Sequence, residues 1–330
     1  MLLFHKSGWF ASSFIGWLLL AGLPTAIAKD VASPLFSVKT PALTATSIAK
    51  SGIARSGMIP VGQHLDVLQR SLTSLQRSRY AGLEAGIAIV DLDTGNYLSM
   101  NGDRVYPTAS IIKLPILIAL FQDVDAGKIR LTETLTMSRD LMVGGSGDMQ
   151  YQRAGSQFSL LETATKMITI SDNTATNMII KRMGGIKALN DRFRQWGLQK
   201  TQMQNPLPDR FGTNVTTAAE LVQLLAMLDR QQLLSAQSQA QVMAIMSQVR
   251  NRTLLPAGLG RGAAIAHKTG DIGFLQGDTG IIRMPSGKRY LAAILVKSDR
   301  NAPDPKDFIQ EASRLVYSYL SQPMTTAQVK

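Results

Sequence analysis

Ser110-Ile111-Ile112-Lys113-Leu114-Pro115-Ile116-Leu117-Ile118-Ala119-Leu120-Phe121 is an apolar run opened by a serine and carrying a single lysine. It is long enough for a helix and too long for an ordinary strand. Ser110 and Lys113 stand three residues apart, a spacing that puts both on one helical face. Pro115 predicts an early kink, because its ring removes one backbone hydrogen bond. Outward from this run the pattern changes. Upstream, His64–Leu75 has apolar residues at helical spacing, Ala85-Gly86-Ile87-Ala88-Ile89-Val90 is a buried-strand run, and the turn Asp93-Thr94-Gly95 leads to a strand over Tyr97–Met100. Downstream, helical patterns cover Ile111–Val124, Leu160–Ile168, Thr174–Met183, Ile186–Trp196, Thr217–Leu228 and Ala236–Met246. Strand signals return at Ala263–His267, Gly280–Ile282 and Tyr290–Val296, before an amphipathic helix over Pro305–Leu320. Strands at both ends with helices between predict an α/β (α+β) fold. One antiparallel sheet is built from both chain ends and flanked by helices, with an all-helical lobe inserted at about 115–255.

Composition narrows the chemistry. Thirty-five Lys+Arg against 23 Asp+Glu give a formal charge of +12, and 45% apolar with 18% charged residues exclude a disordered chain. Cysteine is absent, which removes disulfide frameworks, zinc fingers, iron–sulfur ligation, lipoprotein anchoring and any thiol nucleophile. The three histidines, His5, His64 and His267, are too few for a histidine-rich metal site and leave little room for a Ser-His-Asp triad. No metal or cofactor is expected. Nor is nucleic-acid binding, since no Lys/Arg stripe with interleaved aromatics occurs. The basic balance suits either an anionic envelope surface or simple solubility.

The amino-terminal segment reads as an export signal over residues 1–28. Lys6 precedes Gly8–Leu23, a stretch of 16 residues without charge, and Ala26-Ile27-Ala28 is a small-x-small cleavage pattern. An uncleaved membrane anchor is the rival, disfavoured because a span needs about 20 apolar residues. Residues 29–58, rich in Ala, Ser, Thr, Pro and Gly, read as a flexible leader, and 59–325 as the folded domain. A secreted or periplasmic monomer with no stable membrane anchor after cleavage is expected.

Three short patterns carry the chemistry: Ser110-Ile111-Ile112-Lys113 opening a helix, Ser171-Asp172-Asn173 between two helices, and Lys268-Thr269-Gly270 at a strand end. A serine needs an adjacent base to become a nucleophile, and a lysine surrounded by Ile111, Ile112, Leu114 and Ile116 gives up its proton more readily because burial disfavours the cation. Each pattern has a plainer reading: an N-cap for Ser110, a solvated side chain for Lys113, a capping cluster for Ser171-Asp172-Asn173, a turn for Lys268-Thr269-Gly270. Ser47-Ile48-Ala49-Lys50 in the leader repeats the first pattern without a helix behind it. Nucleophile, proton shuttle and anion anchor arriving in order from a helix, a loop and a strand edge are the parts of an acyl-transfer site. Two other glycine-rich stretches fail as motifs. Gly144-Gly145-Ser146-Gly147-Asp148 lacks the last glycine of a nucleophile elbow, and Gly258-Leu259-Gly260-Arg261-Gly262 misplaces that of a dinucleotide fingerprint. His267 beside Lys268 points to the opposite strand face and reads as packing or surface.

Over roughly residues 60–321 the set resembles the class A β-lactamases and the wider penicillin-recognising serine hydrolases. That resemblance implies a β-lactamase/transpeptidase-like fold, Ser110 as the acylated nucleophile and Lys113 as its proton acceptor. It further implies Ser171 as the relay to the leaving nitrogen, Asn173 as holder of the substrate's side-chain amide, and Lys268 and Thr269 as the grip on its carboxylate. The backbone N–H groups of Ser110 and of Asp271, the residue after Gly270, would form the oxyanion hole. The implied substrate is a β-lactam or a peptidoglycan stem peptide.

Two departures stand out. In class A enzymes a glutamate on a loop after the Ser-Asp-Asn element activates the deacylating water. Here the five glutamates are Glu84, Glu133, Glu162, Glu220 and Glu311, and none falls between Arg192 and Thr217. The segment Gln204-Asn205-Pro206-Leu207-Pro208-Asp209-Arg210 offers Asp209 as its one carboxylate, a candidate substitute whose plainer reading is a surface turn pair with Arg210. Asp271 is an acidic side chain beside the anion-binding strand, where it could weaken attraction for a carboxylate. The expected activity is β-lactam opening through a Ser110 acyl-enzyme with slow deacylation. The alternatives are a D-alanyl-D-alanine peptidase and a sensor that keeps its adduct.

Overall fold

The computed structural model describes residues 62–322; the expected signal 1–28, the leader 29–58 and its Ser47–Lys50 pattern lie outside them. The chain runs through α1 (Asp66–Arg79), β1 (Glu84–Asp91), β2 (Tyr97–Met100), β3 (Tyr106–Pro107), a 3₁₀ turn at Ala109–Ile112 and α2 (Lys113–Asp125). It continues through β4 (Thr134–Thr136), β5 (Gln157–Ser159), α3 (Leu160–Thr169), α4 (Asn173–Arg182), α5 (Gly185–Gln195), β6 (Val215–Thr216), α6 (Ala218–Asp229) and α7 (Ala236–Ser247). β7 (Ala264–Asp271), β8 (Leu275–Arg283), β9 (Arg289–Lys297) and α8 (Pro305–Ser321) complete it.

Five strands form one sheet in the order β2-β1-β9-β8-β7, with every neighbouring pair antiparallel. The two strands from the start of the fold join the three from its end through the β1–β9 ladder, where Ile87 stands opposite Ile294. Apolar side chains of α1 and α8, among them Leu68, Leu72, Phe308 and Val316, bury one sheet face around Ile87, Ile89, Ile265 and Ile294. α6 covers the other face over β1 and β9. A sheet covered on both sides needs strands apolar on both sides, and Ala85–Asp91 is buried at every position.

The helices begin where short polar side chains cap them. Ser159 Oγ accepts from Glu162 N, Asp172 Oδ1 from Ala175 N and Thr217 Oγ1 from Glu220 N. Two expectations change. The helical block also contains the pair β4–β5 and the strand β6, which pairs with β3 just before the block, each too short to leave a period-2 signal. Pro115 makes no break in α2: as the helix's third residue it lies in the first turn, where its missing N–H would have had no intrahelical acceptor.

Truncating a side chain shared by sheet and helix should report on this core. Phe308 is 0% exposed. Phe308→Ala is expected to lower the unfolding free energy by about 3–5 kcal/mol, measured by urea denaturation, and a loss under about 1 kcal/mol would remove the α8–sheet contact from the core.

Candidate active site

Ser110 sits in the 3₁₀ turn, half-buried, at the wall of a cleft of about 330 Å³. A 3₁₀ turn eclipses residues three apart, so Ser110 and Lys113 are stacked more directly than an α-helix would place them. Ala109, just before the nucleophile candidate, has φ of 45°, and Ser171 has φ of 58°. Left-handed backbone costs a non-glycine residue free energy and persists where surrounding contacts demand it, and two of the described chain's four such residues flank or belong to this cleft.

Lys113 is 0% exposed. Its Nζ is 2.5 Å from the Ser171 carbonyl oxygen, 2.8 Å from Asn173 Oδ1 and 3.2 Å from Ser171 Oγ. Burial first, then the positive charge of Lys268, pushes the amine well below the usual lysine range, with the Asp172 carboxylate opposing. A neutral amine has two N–H groups and a lone pair, which matches two carbonyl-type acceptors and a hydroxyl. The capping and chemical readings of Ser171-Asp172-Asn173 divide by residue. Asp172 caps α4 and also accepts from Met149 N at 2.8 Å, while Ser171 and Asn173 face the lysine. Asn173 Nδ2 donates to Gly144 O at 3.1 Å, so its amide is engaged at both ends. The glycine-rich stretch 144–147 is thereby the support of this loop: a Cβ on Gly147 would lie 2.1 Å from Asp172 Oδ2.

Lys268 and Thr269 line the same cleft from β7, together with Gly270 and Asp271. Lys268 is buried, and its Nζ donates to the Thr269 carbonyl at 2.8 Å. Burial lowers its pKa to about 8, against the raising influence of Asp278. Gly270 has a steric reason. A Cβ there would lie 2.9 Å from the Thr108 carbonyl and 3.0 Å from Ala109 Cβ, so glycine lets β7 approach the Ser110 turn. The Asp271 carboxylate accepts from Gly273 N at 2.8 Å and Gln276 Nε2 at 3.0 Å, and those donors and solvent offset its charge.

The segment 204–210 differs from the plain reading of its aspartate. Asp209 is 4% exposed, not a surface turn residue. Its oxygens accept from Thr213 Oγ1 at 2.9 Å and Asn214 N at 2.6 Å, so they close the loop on itself and do not line the cleft. The residue fixed beside α4 is Leu207. Its N–H donates to Asn177 Oδ1 at 3.0 Å and its carbonyl accepts from Asn177 Nδ2 at 2.7 Å. Asn177 lies one turn beyond Asn173 on α4, an i, i+4 asparagine pair that is visible in the sequence and belongs to none of the three motifs. None of the glutamates lines the cleft: Glu84 pairs with Arg104, Glu133 with Arg182 and Glu311 with Arg79, Glu220 accepts from Lys200 N and Thr201 N, and Glu162 lies in the first turn of α3. Ser146, Arg250 and Asn251 also line the cleft, on loops without any motif.

A serine backed by a buried amine, a second serine touching that amine and a lysine on the facing strand define a penicillin-recognising serine hydrolase. The chain belongs to the beta-lactamase enzyme family, whose model matches residues 67–320. It is 26% identical over 255 residues to the extended-spectrum beta-lactamase PER-1 of Pseudomonas aeruginosa, covering 71% of this chain and 82% of that protein. Among solved structures it is similar to PBP-A, at 47% identity with a TM-score of 0.77, covering 79% of this chain and 98% of that one. A leucine-to-glutamate mutant of PBP-A, solved as an acyl-enzyme complex with penicillin-G, matches at 46% identity with a TM-score of 0.77, over 79% of this chain and 99% of that one.

The approach of β7 to the nucleophile turn is open to a direct test. Gly270→Ala should slow acylation by a β-lactam about tenfold or more, equivalent to at least ~1.4 kcal/mol, because strand and turn must separate. Stopped-flow acylation kinetics at wild-type speed would show that the close approach is dispensable.

Proposed function

We propose that this protein is an exported serine enzyme that opens β-lactam rings by acylation of Ser110 and releases the product slowly. The observation that carries the reading is the buried Lys113 amine, held towards neutrality one 3₁₀ turn from Ser110 and in contact with Ser171. In the proposed step Ser110 Oγ attacks the lactam carbonyl while Lys113 takes its proton. The ring C–N bond then breaks, and Ser171 passes a proton to the leaving nitrogen. The Ser110 and Asp271 backbone N–H groups bind the oxyanion, Lys268 and Thr269 hold the substrate carboxylate, and Asn173 turns its amide to the substrate side chain. Export rests on residues 1–28, whose polar start, uncharged run and small-x-small site fit a cleaved signal.

Slow release follows from the deacylation side. A positioned general base contributes about 10²–10⁴-fold, and no glutamate lines this cleft. The same feature favours a second reading, a peptidase acting on cell-wall stem peptides or a sensor retaining its adduct. Likeness to PBP-A, known as an acyl-enzyme in mutant form, supports adduct formation under either reading.

Intact-protein mass after mixing with benzylpenicillin tests acylation: a persistent adduct is expected on wild type and none on Ser110→Ala. Labelling of Ser110→Ala would assign the nucleophile elsewhere, and no adduct on wild type would end the proposal.

The missing base yields a separate expectation. Leu207 is the residue whose backbone the Asn177 clamp fixes beside α4, so Leu207→Glu should speed deacylation by about 10–100-fold without changing acylation. Asp209→Asn should leave both steps near wild type and cost about 1–3 kcal/mol of stability. Burst kinetics with a chromogenic cephalosporin check both; turnover lost in Asp209→Asn, with folding intact, would make Asp209 the base.

A further inference from the structure

Asp271 is the one acidic side chain lining a cleft whose other charged lining residues, Lys268 and Arg250, are basic. Lys268 is buried, whereas Asp271 is exposed at the end of β7. Gly270 faces the Ser110 turn, since a Cβ there would meet Thr108 and Ala109. Alternation along β7 therefore turns Thr269 and Asp271 together to the other side. Gln276, the partner of Asp271 across the β7–β8 ladder, fixes its direction by donating from Nε2 to Oδ2 at 3.0 Å. Thr269 and Asp271 thus line the cleft from one face of the strand, about 6–7 Å apart along it.

The plain role of Asp271 is to close the turn into β8, where Oδ1 accepts from Gly273 N at 2.8 Å. That role needs an oxygen and no charge. Asparagine would keep the bond to Gly273 N. After an amide flip of Gln276, its N–H would meet Gln276 Oε1, which is buried without a partner among the described residues. Nor is the charge spent on an ion pair. No Lys or Arg pairs with Asp271 among the described residues, and its two donors lessen the charge without bringing one of their own. For a substrate whose only charge is the carboxylate gripped by Lys268 and Thr269, the Asp271 carboxylate only repels. For a substrate that also carries a cation beside that carboxylate, it attracts.

We propose that Asp271 is a specificity-determining residue that selects zwitterionic substrates, those with an ammonium- or pyridinium-type cation next to the carboxylate held by Lys268 and Thr269. This rests on the acyl-transfer reading above and deepens it by naming the substrate class. Lys268 and Thr269 take the anion, and Asp271, next on the same face as Thr269, takes the cation. Lys268 and Arg250 repel a cation, which leaves Asp271 as the charged lining residue that attracts one.

The test compares two cephalosporins that share one acyl side chain. Cephaloridine carries a permanent pyridinium cation beside its carboxylate, and cephalothin carries a neutral acetoxy group at the same place. Stopped-flow acylation gives a second-order rate constant for each, and the quantity read is the ratio of cephaloridine to cephalothin. In Asp271→Asn this ratio should fall about two- to fivefold below wild type, the size of an exposed ion pair. The fall should vanish in about 1 M salt, where screening sets in within about 3 Å. Asp271→Glu keeps the charge and should keep the wild-type ratio. If Asp271→Asn does not fold, Asp271→Ser, neutral and able to accept from Gly273 N, carries the same expectation. A role confined to the turn or to the backbone N–H would change both rates together and leave the ratio in place. An unmoved ratio in the neutral variants, an equal fall in Asp271→Glu, or a fall that survives high salt would overturn the proposal. So would an equal fall in the ratio of ampicillin to benzylpenicillin at about pH 6, because that ammonium lies on the acyl side and not beside the carboxylate. Failure of the wild type to form an adduct with any of these compounds would instead bring down the acyl-transfer reading, and this inference with it.

Discussion

The Lys113 amine lies sealed inside the protein, within 3.2 Å of three oxygens and with no carboxylate in hydrogen-bond reach among the described residues. A cation there would lose most of its hydration for acceptors that carry only partial charge, which is expensive, whereas a neutral amine is well satisfied. Much of the architecture serves that burial. α2 is apolar around nearly its whole circumference, the 171–173 loop is bent through a left-handed residue to present its carbonyl and hydroxyl, and Asp172 is turned aside to cap α4.

Bringing the second lysine close without neutralising the first by an ion pair sets the geometry of the sheet edge. β7 lies against the Ser110 turn because Gly270 has no Cβ to meet Thr108 and Ala109, and β8 follows because Gly277 leaves room for Ile111 and Leu295. Lys268 then lines the cleft and Lys113 lies buried beneath Ser171, with no carboxylate paired to either among the described residues. Repulsion between them is relieved most readily if one is neutral, and the partner pushed well below the usual lysine range, hydrogen-bonded to Ser171 and Asn173, is Lys113.

The segment 204–214 is held by hydrogen bonds within its own loops and to α4. Asn177 clamps both backbone atoms of Leu207, Asn214 accepts from Gln204 N and Asn205 N, and Asp209 binds Thr213 and Asn214. β6 ties the end of this segment to β3, just before the nucleophile turn. The segment's one carboxylate is thus consumed by its own closure.

The main helices and the five sheet strands were legible in the sequence because periodicity is local: the run 111–121 and the strands at either end carry their burial pattern in their neighbours along the chain. The three motifs, the lack of cysteine and the lack of a glutamate between Arg192 and Thr217 are likewise facts of covalent order that folding cannot alter. What the tertiary structure decided is partnership. Asp209 stood out as the one carboxylate of its segment and Asp278 lay in no motif, yet the first closes its own loop and the second is sealed against His267. Pro115 is a helix breaker by type and harmless by its place in the first turn. Gly270 is a turn residue by type and a spacer by what lies 2.9 Å away. These outcomes depend on which groups long-range closure brings within a few ångströms, and on whether water is excluded there. Neither quantity is carried by the spacing of residues along the chain.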